Sequence, residues 1–150
     1  MTSMFPISIV IPVFNERDNL IPLISEIHQA LATDQPYEII VVDDGSTDGT
    51  RNLLREQTRK QAELIGVYHQ GNYGQSAALL SGIRQAQYPW IVTMDGDGQN
   101  DPQDIQVLLT ALAQQDNPRQ TAILGNRRQR DDRWLRRLSS RIGNGVRNAM

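Results

Sequence analysis

Glu38-Ile39-Ile40-Val41-Val42-Asp43-Asp44-Gly45-Ser46-Thr47-Asp48 runs from an unbroken aliphatic stretch straight into an acidic, glycine-containing turn. Four consecutive β-branched residues bounded by turn formers read as a strand buried on both faces, because a half-exposed strand would alternate polar with apolar residues. Asp48 is placed to serve the N-terminus of a following helix. Strand, tight turn and helix together are half of a βαβ unit, and the same alternation recurs outward in both directions. Strands are predicted over Ile7–Val13, Glu38–Val42, Leu64–His69, Trp90–Met94 and Thr121–Gly125. Between them Leu20, Leu23, Ile24, Ile27 and Leu31 recur at helical spacing, as do Ile105, Leu108, Leu109 and Leu112 behind the cap and first-turn pair Asp101-Pro102. Leu53 and Leu54 mark a shorter helix, and Ala77, Leu80 and Ile83 the apolar face of another. The expected fold is α/β, a mostly parallel sheet with helices on both faces.

Length and composition bound the remaining choices. A chain of 150 residues suits one domain with one proper core. Without cysteine it has no disulfide framework and no cysteine-based zinc or iron–sulfur site. The apolar opening Phe5–Phe14 lacks the basic flank and small-residue cleavage site of a secretory signal, and no apolar run reaches the ~18 residues of a membrane-spanning helix. The net charge of −2 conceals an asymmetry: residues 1–126 carry 7 basic and 15 acidic side chains, whereas residues 127–150 carry 8 arginines and 2 aspartates. This divides the chain into an α/β body, 1–126, and a basic segment, 127–150. Within the latter, Trp134, Leu135, Leu138, Ile142 and Val146 fall on one helical face and arginines on the other.

In a parallel α/β sheet the loops after the strands gather along one edge, where ligands bind. Here those loops carry Asn15 and Glu16, then Asp43-Asp44-Gly45-Ser46, Gln70-Gly71-Asn72-Tyr73-Gly74, Asp95-Gly96-Asp97-Gly98-Gln99 and Asn126-Arg127. Asp95 and Asp97, two apart in an extended segment, are expected on one side, with Gln99 one step further on the same face. Such a pair suits Mg²⁺ or Mn²⁺, which a few carboxylates hold while leaving positions for waters and substrate phosphates. A calcium-loop reading fails, because Asn100 stands where glycine is needed and Gln106 where glutamate is needed. Neither a phosphate-loop lysine motif nor a dinucleotide glycine motif follows the first strand. Of Asp43 and Asp44, one is expected to face ligand, accepting hydrogen bonds from a base or ribose, and the other to hold the turn. His28 and His69 read as core or surface residues rather than catalytic ones.

Ile9-Val10-Ile11-Pro12-Val13-Phe14-Asn15-Glu16, Val41-Val42-Asp43-Asp44-Gly45-Ser46-Thr47-Asp48, Asn72-Tyr73-Gly74-Gln75 and Met94-Asp95-Gly96-Asp97-Gly98-Gln99-Asn100-Asp101-Pro102, in this order, resemble the inverting family-two glycosyltransferases. The likeness is to the branch acting on dolichol or undecaprenyl phosphate. The resemblance implies a Rossmann-like GT-A fold in which Pro12, Phe14, Glu16 and Asp43 surround the nucleotide base and ribose. It further implies that Asp95 contacts the nucleotide–sugar region, that Asp97 and Gln99 hold Mg²⁺ or Mn²⁺ on the diphosphate, and that Arg127 and, less closely matched, Arg141 bind phosphate. Asp95, Asp97 and Arg127 would then form the catalytic set. Phe14 stands where tyrosine is frequent, keeping the aromatic face without the hydroxyl.

The expected reaction is transfer of a hexose, mannose or glucose, from a GDP- or UDP-sugar to a polyprenyl phosphate with inversion. The basic amphipathic segment would rest on anionic lipid, placing the protein peripherally on the cytoplasmic face of the inner membrane. Packing of that segment on the domain stays open, as does homo-oligomerisation. Nucleic acid is not an expected partner, since stacking aromatics are scarce in the arginine segment, Trp134 apart. The 150 residues stop where members of the family usually continue, so a catalytically incomplete nucleotide-sugar-binding fragment is one alternative. A haloacid-dehalogenase-like phosphatase, using Asp95 as nucleophile, is another.

Overall fold

The computed structural model describes residues 5–31, 35–116 and 123. Its elements alternate: β1 (Ile7–Val13), α1 (Arg17–Ala30), β2 (Tyr37–Asp43), α2 (Thr50–Thr58), β3 (Leu64–Tyr68), α3 (Gln75–Gln85), β4 (Trp90–Thr93) and α4 (Asp104–Ala113). The four strands form one parallel sheet in the order β3-β2-β1-β4. The predicted strand Thr121–Gly125, Ile123 apart, and the basic segment 127–150 lie outside the described residues.

Continuous aliphatic runs become central strands because both their faces must be covered. Ile7, Ile9, Val10 and Ile11 of β1 and Ile39, Ile40, Val41 and Val42 of β2 are all fully buried. On one face Ile9, Ile11, Ile39 and Val41 pack with Leu20, Leu23, Ile24 and Ile27 of α1, Leu54 of α2, and Ile105 and Leu109 of α4. On the other, Val10, Ile40 and Val42 meet Ala78 of α3. The helices therefore cover both faces, as expected. At the end of the sheet where the strands begin, Ser8 Oγ donates to Glu38 Oε1 at 2.5 Å, which also accepts the Gln87 N–H at 2.6 Å.

One helix presents a different face from the one its large apolar residues suggested. Leu80 and Ile83 of α3 are 48% and 43% exposed, while Ala78 and Gly82 are buried. Close approach is the reason. A Cβ on Gly82 would lie 2.4 Å from Val10 Cγ1 and 3.0 Å from Val42 Cγ2, so only minimal side chains fit between α3 and the sheet. On α4 the expected stripe is met more closely, with Ile105, Leu109 and Leu112 buried.

Candidate nucleotide-sugar site

Where β1 and β2 end, two loops are stitched together by side chains that satisfy helix starts. Asp48 Oδ1 accepts the Thr50 N–H at 3.0 Å at the start of α2, and its Oδ2 accepts the Arg17 N–H at 3.2 Å at the start of α1. One carboxylate thus serves two helix N-termini, where orphan N–H groups and the helix dipole favour a negative charge. Burial raises the Asp48 pKa, but the Thr50 hydroxyl and N–H and the Arg17 N–H outweigh it and hold the carboxyl below its ordinary value. Asn15, held at a positive φ of 57°, accepts the Thr47 N–H on Oδ1 at 2.8 Å, while its own N–H donates to Ser46 Oγ.

Above this lacing lies a crevice of about 340 Å³ at the C-terminal ends of the strands. It is lined by Pro12, Phe14 and Glu16 from the end of β1, Asp44 from β2, Asn72, Gly74 and Gln75 from β3 and α3, and Asp95 and Asp97 from β4. Phe14 keeps 43% of its surface exposed. Gln75 Nε2 donates to Asp95 Oδ1 at 2.9 Å, tying the start of α3 to the β4 loop. Gly96 makes the close approach possible: a Cβ there would sit 2.6 Å from Val13 Cγ1 and 3.0 Å from the Pro12 carbonyl oxygen. Asp95 and Asp97 flank that glycine. Oxygen donors of this kind fit a hard divalent cation, which one or two carboxylates suffice to hold.

Five of the expected residues, Pro12, Phe14, Glu16, Asp95 and Asp97, therefore meet in one place. Two others sit elsewhere. Asp43 is fully buried; Arg51 Nε donates to its Oδ2 at 2.6 Å and the Ser46 N–H to its Oδ1 at 3.1 Å. The reason is that β2 extends through Asp43, whose backbone is paired with Val13 on one side and Tyr68 on the other, and its carboxylate, covered by α2, takes a cation from that helix. Asp44, the first residue beyond, lines the crevice instead. Gln99 lines an adjoining depression of about 410 Å³ with Glu26 and Asp101. The two-residue alternation that placed it beside Asp97 ends with β4 at Thr93; the chain then turns, with Gly98 at a φ of 72°. The Gln99 N–H still donates to Asp97 Oδ1 at 3.0 Å. Arg127 and Arg141 lie outside the described residues.

Asp44, not Asp43, is the aspartate of this pair that lines the crevice. Its Oδ1 accepts from His69 Nδ1 at 2.7 Å and from the Tyr73 N–H at 2.9 Å, and its Oδ2 from the Gly74 N–H at 2.7 Å. Burial pushes the carboxyl upward, but the bonds from Tyr73, His69 and Gly74 and the charge of His69 outweigh it, so Asp44 lies below the ordinary carboxylate range. Gln75 and Asn72, which had no role of their own among the sequence-based expectations, also line the crevice. Their position immediately after the third strand was the available signal.

The parallel sheet with helices on both faces and an acidic crevice at its strand ends is the Rossmann-like layer of a GT-A fold. The sequence matches the description "Glycosyl transferase family 2" over residues 8–149, and the chain belongs to that family. It is 38% identical over 141 residues to an undecaprenyl-phosphate 4-deoxy-4-formamido-L-arabinose transferase of Aeromonas hydrophila, a match covering 92% of this chain and 42% of the relative. A dodecaprenyl-phosphate galacturonate synthase of Rhizobium johnstonii is 36% identical over 141 residues, covering 92% of this chain and 41% of that one. Among solved structures, the Pyrobaculum calidifontis mannosyltransferase PcManGT in complex with GDP-Man and Mn²⁺ superposes with a TM-score of 0.59 at 25% identity, covering 69% of this chain and 31% of the other. The S. aureus protein TarS, residues 1–349 with UDP-GlcNAc, gives a TM-score of 0.59 at 21% identity, over 72% of this chain and 31% of that one, a likeness of fold. The chain spans about two fifths of the length of these curated relatives. Family membership replaces the phosphatase alternative.

Proposed function

We propose that this chain is the donor-binding part of a transferase that moves a sugar from a nucleoside diphosphate to a polyprenyl phosphate. The observation that carries the reading is the convergence of Phe14, Asp44, Asp95 and Asp97 in one crevice at the strand ends. The exposed Phe14 ring stacks on the base, with Pro12 and Glu16 beside it. Asp44, rather than the ion-paired Asp43, accepts hydrogen bonds from the base or ribose. Asp95 and Asp97 hold Mg²⁺ or Mn²⁺, and Gln99 supports the turn through its backbone N–H. The bound ion would supply Lewis-acid stabilisation of the diphosphate as it leaves.

In the inverting reaction an acceptor phosphate oxygen forms the new bond to the anomeric carbon as the bond to the diphosphate breaks on the opposite face. The acceptor is already anionic, so no strong general base is required of the chain. Arg127, with Arg141, positions that phosphate through the bidentate fork of its guanidinium. The basic amphipathic segment rests on anionic lipid at the cytoplasmic membrane face. Among the described residues no helix is long and apolar enough to cross a membrane. The donor sugar expected from the sequence is mannose or glucose; the relatives' names add a formamido-arabinose and a uronic acid to the donors worth screening. A second reading is donor binding without transfer, and sugar release in the presence of polyprenyl phosphate separates the two.

The test is calorimetric titration of GDP and UDP with Mn²⁺, alongside thermal shift. A diphosphate at ~100 times its dissociation constant should add roughly 2.7 kcal/mol, a rise of about 5–11 °C for a domain of this size. Asp97→Asn, nearly isosteric but without the charge, should weaken that binding at least tenfold. Equal affinity in chelator would remove the ion from the proposal, and no binding of either nucleotide would remove the proposal itself.

A further inference from the structure

Behind Asp44 stand two residues to which the transfer reaction as described gives no role, His69 and Ser81, joined to it in one hydrogen-bonded chain. His69 Nδ1 lies 2.7 Å from Asp44 Oδ1 and its Nε2 lies 2.8 Å from Ser81 Oγ. The ring, just beyond β3, has a side-chain exposure of 13% and stands edge-on to Tyr73 at 5.5 Å between centroids. An ionised carboxylate only accepts, so the proton between His69 and Asp44 belongs to Nδ1. In the neutral ring Nε2 must then be the acceptor, and the Ser81 hydroxyl donates to it. Every bond in the chain runs one way, from α3 through the imidazole to the carboxylate in the crevice.

The arrangement has the order of a serine nucleophile relay but not its setting. Ser81 lies inside α3, where the backbone N–H groups are committed to carbonyls four residues back, so the helix itself offers its hydroxyl no pair of oxyanion donors. Orientation is what the chain can supply. Asp44 Oδ1 is taken by His69 and Tyr73, which fixes the carboxylate plane, while Oδ2 takes the Gly74 N–H, and the residue lines the crevice. We propose that His69 is a positioning residue for the nucleoside end of the donor, holding Asp44 through Nδ1 so that its carboxylate meets a base N–H or ribose hydroxyl. This rests on the nucleotide reading above.

The test compares side chains that keep one or the other ring nitrogen. In His69→Asn the amide nitrogen stands near Nδ1 and can still donate to Asp44; in His69→Gln it stands near Nε2 and reaches Ser81 only. GDP and UDP are titrated with Mn²⁺ into each variant of the 150-residue chain, with inorganic pyrophosphate and Mn²⁺ as the probe of the diphosphate end. Losing one charge-assisted bond should weaken nucleotide binding roughly tenfold in His69→Gln, while His69→Asn stays within about threefold of the parent. Pyrophosphate binding should be unchanged in both, which a general loss of structure would not allow. Nitrogen-15 spectra of the parent should show a proton on Nδ1 of His69. Equal nucleotide affinity in parent and His69→Gln, or the Nε2–H tautomer, overturns the inference and leaves the nucleotide reading standing. A parent that binds no nucleoside diphosphate takes down both.

Discussion

Replacing Gly45 by alanine should damage stability and the crevice together, and the geometry sets the size of the effect. Gly45 holds φ at +79°, and a Cβ built there falls 2.5 Å from the Gly71 carbonyl carbon, 2.7 Å from the Asn72 nitrogen and 2.8 Å from the Gly71 Cα. The left-handed conformation alone costs a non-glycine residue about 1–2 kcal/mol. The contacts are with backbone and cannot be relieved by a rotamer change, so overpacking adds about 1–3 kcal/mol. A total of roughly 2–5 kcal/mol corresponds to a melting point lower by roughly 4–20 °C in a domain of this length. The relief open to the chain is to part the β2 and β3 loops. That parting breaks the bonds from the Tyr73 and Gly74 N–H groups to Asp44, so nucleoside diphosphate binding should fall as well. Urea unfolding of Gly45→Ala, with calorimetry at a temperature where the variant is folded, measures both. A variant within about 0.5 kcal/mol of the parent that binds nucleotide normally would refute the argument.

Acid should unlock the same corner. Asp44 and Asp48 both have folded pKa values below the ordinary 3.8, so their contribution is fully present above that value and is lost as pH falls through the lowered folded values. The double variant Asp44→Asn, Asp48→Asn should therefore be less stable at neutral pH yet lose less of its urea midpoint below pH 3.8 than the parent does; parallel pH profiles would refute the assignment. Gly82→Ala sets two effects against each other. Alanine gains about 0.8–1.0 kcal/mol of helix propensity, but its Cβ meets Val10 and Val42 in the buried sheet at a cost of about 1–3 kcal/mol. Net destabilisation in urea is the expected result, and a more stable variant would show that α3 can shift outward freely.

Fold class was legible because the physics that writes it into the sequence is local. A strand buried on both faces has to be aliphatic along most of its length, and the stretches Ile9–Ile11 of β1 and Ile39–Val42 of β2 are; their neighbours could then be ordered by the helices between them. The face of α3 was not legible by the same rule. Hydrophobic periodicity assumes that the largest apolar residues point inward, whereas a helix lying close against Val10 and Val42 must bury its smallest. The site was legible as a set of loops but not side chain by side chain. Strand alternation decides direction only while the strand lasts, and two expectations failed at strand ends: β2 runs one residue further than Val42 and takes Asp43 into the sheet, and β4 stops at Thr93, ahead of the Asp95–Gln99 turn.

Register supplies what alternation lacks. In a parallel pair the offset between partners is constant, so one aligned residue pair extends to the loops beyond. Ile7 pairs with Tyr37, and the same thirty-residue step joins Ser8 to Glu38, the buried hydroxyl and carboxylate that bond across the strands. Asp43 pairs with Tyr68, and the next step along brings Asp44 to His69, twenty-five residues away in sequence and hydrogen-bonded in the fold. Ile7 also pairs with Trp90, and continuing that offset past the end of β4 sets Pro12 opposite Asp95 and Val13 opposite Gly96, the contact that forbids a side chain there. The crevice is thus the sheet's own pairing carried one or two residues past the last ladder bond. Residues that seem unrelated in sequence, an aspartate after β2 and a histidine after β3, become neighbours because nothing in a parallel register lets them drift apart before the chain turns away.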